Sequence, residues 1–423
     1  MATLYKNISL LSIIQIANVL IPLATLPYLA RVMGTETFGQ YALLFAVLQY
    51  VILVAEYGFN LSTTKKIVNV KNDISQLSRV FWTVMLCKLV LLCIAWIPVW
   101  VLVNISEKFR SLQELMIWGL PYVVGFILFP HWLLQGLDLM KEMAVASVVG
   151  RVALLPMLYY GVNGPEDLSH AVGLTGLSAC LTAFIALWVV SRKTGVQWQR
   201  PDRNSIHSSI KDGAYIFASS VATNIYSVSV VVLLGYAGGP VEVARFTVAD
   251  KLRQAVQVML TPVQQALYPR MSELMVKNPH EAFKLVRKIL PIVFSYCTFS
   301  GLVLVIAADW LIQLIFGRGY ESAEPVLWVL AFLPLVVAIS GLLGVQILTV
   351  SDRQGVVFRS LLMGAGFCVA AIYPLTLLWG AIGAAMTVFL TELLIALLLW
   401  WAVEREFPEF GTIVRRASRD VSV

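Results

Sequence analysis

Apolar residues come in runs of about twenty along this chain, the length an α-helix needs to cross the hydrocarbon core of a bilayer. The first run covers 8–30, and eleven more follow at 38–60, 80–103, 115–136, 143–162, 168–190, 213–237, 244–267, 289–308, 325–348, 355–378 and 380–402. In lipid every backbone N–H and C=O needs a partner within the protein, which only helices and closed barrels supply. Runs of this length and number therefore predict an all-α polytopic membrane protein with twelve transmembrane helices. Only 13% of the residues are charged, against about 25% in soluble domains. With so many comparable runs behind it, the first reads as an uncleaved span rather than a signal peptide.

The basic residues set the orientation. One set of loops carries Lys65, Lys66, Lys71 and Arg79, then Arg192, Lys193, Arg200, Arg203 and Lys211, then Arg270, Lys277, Lys284, Arg287 and Lys288, and finally the C-terminal Arg405, Arg415, Arg416 and Arg419. The opposite loops hold only Arg31, Lys108, Arg110, Arg245 and Arg318. The positive-inside rule puts the first set, and both termini, in the cytoplasm. It also accounts for the net charge of +7, so no nucleic-acid partner is needed to explain it. Cys87, Cys93, Cys180, Cys297 and Cys368 lie in apolar runs without paired spacing, which predicts neither disulfides nor a metal site.

The longest polar interval, "SRKTGVQWQRPDRNSIHSSIKDG" at 191–213, divides the runs six and six. The expected organisation is a six-helix lobe at 1–190, a cytoplasmic linker at 191–212, a second six-helix lobe at 213–402 and a cytoplasmic tail at 403–423. The strings "GTETFGQY" (34–41) and "GPVEVARF" (239–246) occupy the same place in each half. Six spans return the chain to its starting side, so the repeat is parallel, with a pseudo-twofold along the membrane normal. Such repeats build transporters.

Polar residues inside the runs point to an interior. Asn18 lies in the first, and Gln49, Glu56 and Asn60 share a face of the second. His131, Gln135 and Asp138 share a face around the end of the fourth, and Arg253, Gln257, Thr261 and Gln264 share one in the eighth. Interhelical hydrogen bonding explains single cases, whereas a water-filled cavity explains the set. Lys88 and Arg151 sit some eight residues, or roughly 12 Å, from the cytoplasmic boundary, within reach of snorkelling. Lys251 and Arg253 are deeper. Asp250 is three residues from Arg253 and fit to pair with it, leaving Lys251 the freer cation. The set forms either a structural pair or a positive lining for an anion, and Arg matches phosphate with its planar fork. The acids Glu56, Asp138, Asp250 and Glu392 raise proton or cation coupling, or else neutralise a neighbouring cation. No zinc-ligand spacing, no phosphate-binding Gly-rich loop and no loop long enough for a soluble catalytic domain is present. The reading is a transporter, not an enzyme, with no metal and no cofactor beyond a coupling proton or other ion gradient.

The strings "LPYLARVMGTETFGQYA" (26–42), "EYGFNLSTTKKI" (56–67), "WLLQG" (132–136) and "LTPVQQALYPRMS" (260–272) resemble the Wzx family of O-antigen flippases, in the multidrug/oligosaccharidyl-lipid/polysaccharide exporter superfamily. The resemblance covers nearly the whole chain. It implies a MATE-like fold with a V-shaped cavity between two lobes, alternating access, and location in the bacterial inner membrane. The implied cargo is an undecaprenyl-pyrophosphate-linked oligosaccharide, moved from the cytoplasmic to the periplasmic leaflet. Membrane lipid and the polymerase and chain-length regulator of O-antigen assembly are the implied partners. Arg151, Arg253 and Lys88 match places where similar proteins carry a basic residue. Asp250 and Lys251 depart from the pattern, the family segment being often uncharged there. On this reading Arg151, Arg253, Lys251 and Lys88 attract the pyrophosphate, and Gln257, Asn18 and Gln135 are candidate sugar contacts. A cation-coupled exporter of soluble small molecules on the same fold is the alternative. An integral-membrane glycan polymerase or transferase would need a long catalytic periplasmic loop, which the intervals do not provide.

Overall fold

The computed structural model of the protein describes the backbone of residues 2–408 and 410. It describes side chains from residue 21 to 408 and at 410, except those at 23, 215, 219, 222, 223, 225–227 and 266. Among the described residues the chain is helical, without strands. Among the described residues eight helical stretches are long and apolar enough to cross a membrane, which makes this a multi-pass membrane protein.

By contacts the chain divides into two compact units. The first holds residues 1–221 with 239–241, and the second 222–238 with 242–423.

The first unit opens with α1 (Ala2–Glu56), which bends at Gly34 (φ 75°, ψ 176°). The helix then breaks at Tyr57 and Gly58, both at positive φ, and α2 (Phe59–Val70) runs on. The predicted second span is therefore interrupted: Glu56 closes one helix and Asn60 lies in the first turn of the next. Asp73 caps α3 (Ile74–Ile105), accepting the Gln76 N–H at 3.0 Å. The predicted fourth span is broken as well. Residues Phe129 and Pro130 part α4 (Gln113–Leu128) from the short α5 (His131–Gly136), since proline cannot supply the N–H that would continue the helix. α6 (Met140–Gly161) and α7 (Leu168–Lys193) complete the bundle. α4 and α7 pack closely where Gly125 and Gly176 meet the other helix's backbone, the small-residue contact typical of helices in lipid. The polar interval after α7 is fastened to α3. Trp82 Nε1 donates to the Gln197 carbonyl at 3.0 Å, the Gln197 N–H donates to Ser78 Oγ at 3.0 Å, and Gln199 Nε2 donates to Ser75 Oγ at 2.9 Å. Lys66 pairs with Asp212 at 2.7 Å in α8 (Arg203–Gly238).

In the second unit, α9 (Pro240–Val258) and α10 (Thr261–Lys277) are parted at Met259 and Leu260. α11 (Pro279–Ile306) and α12 (Ala308–Phe316) follow. The predicted tenth span is discontinuous: α13 (Glu324–Leu330), α14 (Leu333–Gly341) and a π-helix at Leu342–Thr349. α15 (Gln354–Glu406) is 53 residues long, far more than a bilayer needs. It folds back at Gly380 (φ 55°, ψ −132°), so that Gly364 and Ile395 pack together. Glu242 fixes the bend by accepting the Ala381 N–H at 2.6 Å while Arg245 holds its other oxygen. The expected tail is not wholly free. Phe410 is buried against Phe283 and Trp400 in the unit's apolar core; residues 411–423 lie outside the described ones.

Candidate functional site

Polar side chains from five helices of the first unit converge on a cavity of about 520 Å³. α1 contributes Thr25 and Glu56, α2 contributes Asn60, α5 contributes His131, α6 contributes Ser147 and Arg151, and α7 contributes Thr175, Ser178 and Thr182. Tyr122, Phe126 and Phe129 supply aromatic walls. Four of the hydroxyls are spent on carbonyls: Thr25 on Ile21, Thr175 on Ala171, Ser178 on Gly150 and Thr182 on Ser178. Four other buried atoms have no hydrogen-bond partner among the described residues: Glu56 Oε2, Asn60 Oδ1, His131 Nδ1 and Arg151 Nη1. Left unsatisfied such atoms would cost about 1–3 kcal/mol each, so a group of them makes this a polar cavity suited to water or a polar ligand.

Lys88, on α3, is fully buried, and its Nζ meets Glu56 Oε1 at 2.7 Å. Its charge is answered inside the bundle rather than at the interface. Arg151 forms no salt bridge among the described residues and stands beside Tyr122 on the cavity wall.

In the second unit Asp250, Lys251 and Arg253 of α9 form one hydrogen-bonded chain through Gln254. Arg253 Nε donates to Asp250 Oδ1 at 2.7 Å, and Arg253 Nη1 donates to Gln257 Oε1. Gln254 Nε2 donates to Asp250 Oδ2 at 2.6 Å, and Lys251 Nζ donates to Gln254 Oε1 at 3.1 Å. The Asp250–Arg253 pair expected from their three-residue spacing is present. Lys251 rests on a neutral amide and forms no salt bridge among the described residues. Glu392, nine-tenths buried on α15, lies near enough to interact electrostatically with Arg253. Among the described residues Lys88 and Arg253 are thus paired with carboxylates (Glu56 and Asp250), whereas Arg151 and Lys251 form no salt bridge.

The remaining candidates fall elsewhere. Gln135 does not line the cavity. Asp138 is exposed in the turn after α5, at φ 61°. The face drawn through His131, Gln135 and Asp138 assumed a continuous helix, whereas α5 stops at Gly136. The Asn18 side chain lies outside the described residues. Asn60 and His131, named in the sequence as members of the polar faces of the second and fourth runs, do line the cavity. Among the described residues no group of three or more His, Cys, Asp or Glu is arranged to hold a metal ion.

Comparison with known proteins gives a consistent picture. A family profile described as polysaccharide biosynthesis protein matches residues 4–275. A candidate O-antigen transporter of Escherichia coli (strain K12) is 31% identical over 94% of this chain and 96% of its own. Another, of Shigella dysenteriae, is 28% identical over 94% of this chain and all of its own. Among solved structures, a multidrug resistance MATE family transporter of the MOP superfamily superposes with a TM-score of 0.70 at 18% identity, over 96% of this chain and 99% of that one. The lipid II flippase MurJ superposes with a TM-score of 0.73 at 12% identity, over 96% and 90%. At those identities the two structures establish the fold.

Proposed function

Because the chain belongs to the polysaccharide biosynthesis protein family, we propose that it is a flippase for a lipid-linked oligosaccharide. It moves an undecaprenyl-pyrophosphate-linked O-antigen repeat unit from the cytoplasmic to the periplasmic leaflet of the bacterial inner membrane by alternating access, with both termini in the cytoplasm. The physical problem is to carry a diphosphate and sugars across hydrocarbon while the polyprenyl tail stays in lipid. The observation that carries the reading is Arg151: a largely buried guanidinium on a cavity wall, without a carboxylate, with Nη1 unpartnered. A phosphate oxygen is the partner its geometry suits. Lys251 and Arg253 supply positive charge in the second unit, and Asn60 and the hydroxyls around the cavity suit sugar hydroxyls. The cations must bind without trapping, because release needs a second state of comparable affinity. Glu392 is the acid best placed for ion coupling, since a proton gained or lost there changes the charge that Arg253 meets.

The test is genetic. The gene, with its cognate glycan genes, is expressed in a strain lacking its own flippase, and long-chain lipopolysaccharide is scored on gels. A ladder that fades with Arg151→Ala or Arg253→Ala at unchanged membrane expression supports both the function and the cationic sites. A ladder untouched by either substitution moves the phosphate site elsewhere. No ladder, with the lipid-linked substrate present, would favour the exporter of soluble compounds.

A further inference from the structure

A second hollow, of about 400 Å³, lies in the first unit between α1 and α6. Three residues of α1 and five of α6 line it, and Thr25 lines both it and the polar cavity. The two also adjoin along α6, where Arg151 and Leu154 line the cavity and Leu155 begins the groove. Arg151 and Leu155 are four residues apart on one helix, about 6 Å along its axis.

The two hollows differ in chemistry. Around the cavity four buried polar atoms lack partners, whereas none of the residues lining the groove has such an atom among the described residues. The Thr25 hydroxyl donates to the Ile21 carbonyl at 3.1 Å. That of Tyr28 donates to the carbonyls of Val162 at 2.7 Å and Tyr159 at 3.1 Å. With those hydroxyls spent, Tyr28 and Tyr159 offer ring faces, their centroids 5.7 Å apart, and Tyr160 stands edge-on to Tyr159. An anion-suited cavity continuous with an apolar groove fits an amphiphile, its charged head in one and its hydrocarbon in the other. Direction favours a tail over a sugar in the groove. The charge bias of the loops makes the Met140 end of α6 cytoplasmic, so the groove runs from Arg151 toward the periplasmic face. A lipid of the cytoplasmic leaflet points its tail that way and its sugars the opposite way.

We infer that the groove between α1 and α6 receives the first isoprene units of the cargo's polyprenyl tail while Arg151 holds the diphosphate. This deepens the flippase reading and rests on it. Lipid tails are as apolar as leucine, so the groove has no hydrophobic advantage over the bilayer. What it supplies is position, keeping the head beside Arg151 as the sugars fill the cavity.

Photo-crosslinking of the full chain in phosphatidylcholine nanodiscs tests this, with radiolabelled undecaprenyl diphosphate as the probe. Tyr160, 79% exposed on the groove, is changed by Tyr160→p-benzoylphenylalanine. Phe299, 70% exposed on α11 of the second unit, takes the same replacement as the control. The probe adduct at 160 should exceed that at 299 several-fold, and Arg151→Ala should lower it several-fold while the phosphatidylcholine adduct stays unchanged. Should Arg151→Ala fail to fold, excess inorganic pyrophosphate should lower the probe adduct instead, by competing for Arg151. Phosphatidylcholine alone at 160, equal probe adducts at 160 and 299, or a probe adduct indifferent to both Arg151→Ala and pyrophosphate overturns the groove. Filter binding of the probe to the unsubstituted protein separates the two readings. Binding without an adduct at 160 overturns the groove and leaves the flippase standing, whereas no binding overturns both.

Discussion

Arg151 and Arg253 are both guanidiniums deep in helices, but their surroundings ask different things of them. Arg253 has Asp250 and Gln257 on its own helix, so it is held in place before any ligand arrives. Arg151 has an unpartnered Nη1 on a cavity wall. Loss of a charge-assisted hydrogen bond to a ligand is worth about 1.5–3 kcal/mol, so Arg151→Ala should cut export by roughly 10- to 100-fold. Arg151→Lys, which keeps the charge and loses the fork, should fall between, as read from the lipopolysaccharide ladder at matched expression. Asp250→Asn keeps an acceptor for Arg253 and removes a negative charge. It should tighten binding of a polyprenyl pyrophosphate and slow its delivery, so that affinity rises while ladder intensity falls. Equal losses in both would show that Asp250 is needed only for folding. The local part of this chemistry was legible in the sequence, because residues three or four apart on a helix must meet. The Glu56–Lys88 bond was not, because it joins residues 32 apart in sequence on different helices.

Helices here are set by their ends and bends. Gly380 takes a conformation open chiefly to glycine, and a β-carbon there would press on the Glu242 carboxylate. Gly380→Ala should therefore destabilise by about 1–3 kcal/mol. Glu242→Gln should lower the melting temperature less, because an amide oxygen can still accept the Ala381 N–H. At the other end of the chain, the Gln76 backbone N–H holds the Asp73 carboxyl below its usual range. A carboxyl lowered on folding stabilises above its unfolded value, about 3.9, and this contribution is lost as pH falls through the lowered folded value. Wild type minus Asp73→Asn melting temperatures should accordingly shrink on acidification below about pH 4; a constant difference would argue against the cap. The apolar runs show in the sequence where helices lie, since length and hydropathy are local. They do not show the breaks at Tyr57–Gly58 and Leu260 or the π-helix at Leu342–Thr349, because tertiary packing chooses where a long apolar stretch yields.

For the molecule as a whole, the asymmetry of Lys and Arg predicts two cytoplasmic ends. A C-terminal green fluorescent protein fusion should fluoresce and a C-terminal alkaline phosphatase fusion should stay silent; the reverse result would invert the topology. Charge bias is readable without a structure because it is summed over loops. The fastening of residues 197–199 to Ser75, Ser78 and Trp82 on α3 is invisible at that level, since polar composition alone describes a slack connector. It bears on how the protein can be handled. The middle of the chain is where an experimenter would first graft an epitope or a protease site. Here such a graft at 197–199 would strip a seam rather than lengthen a tether.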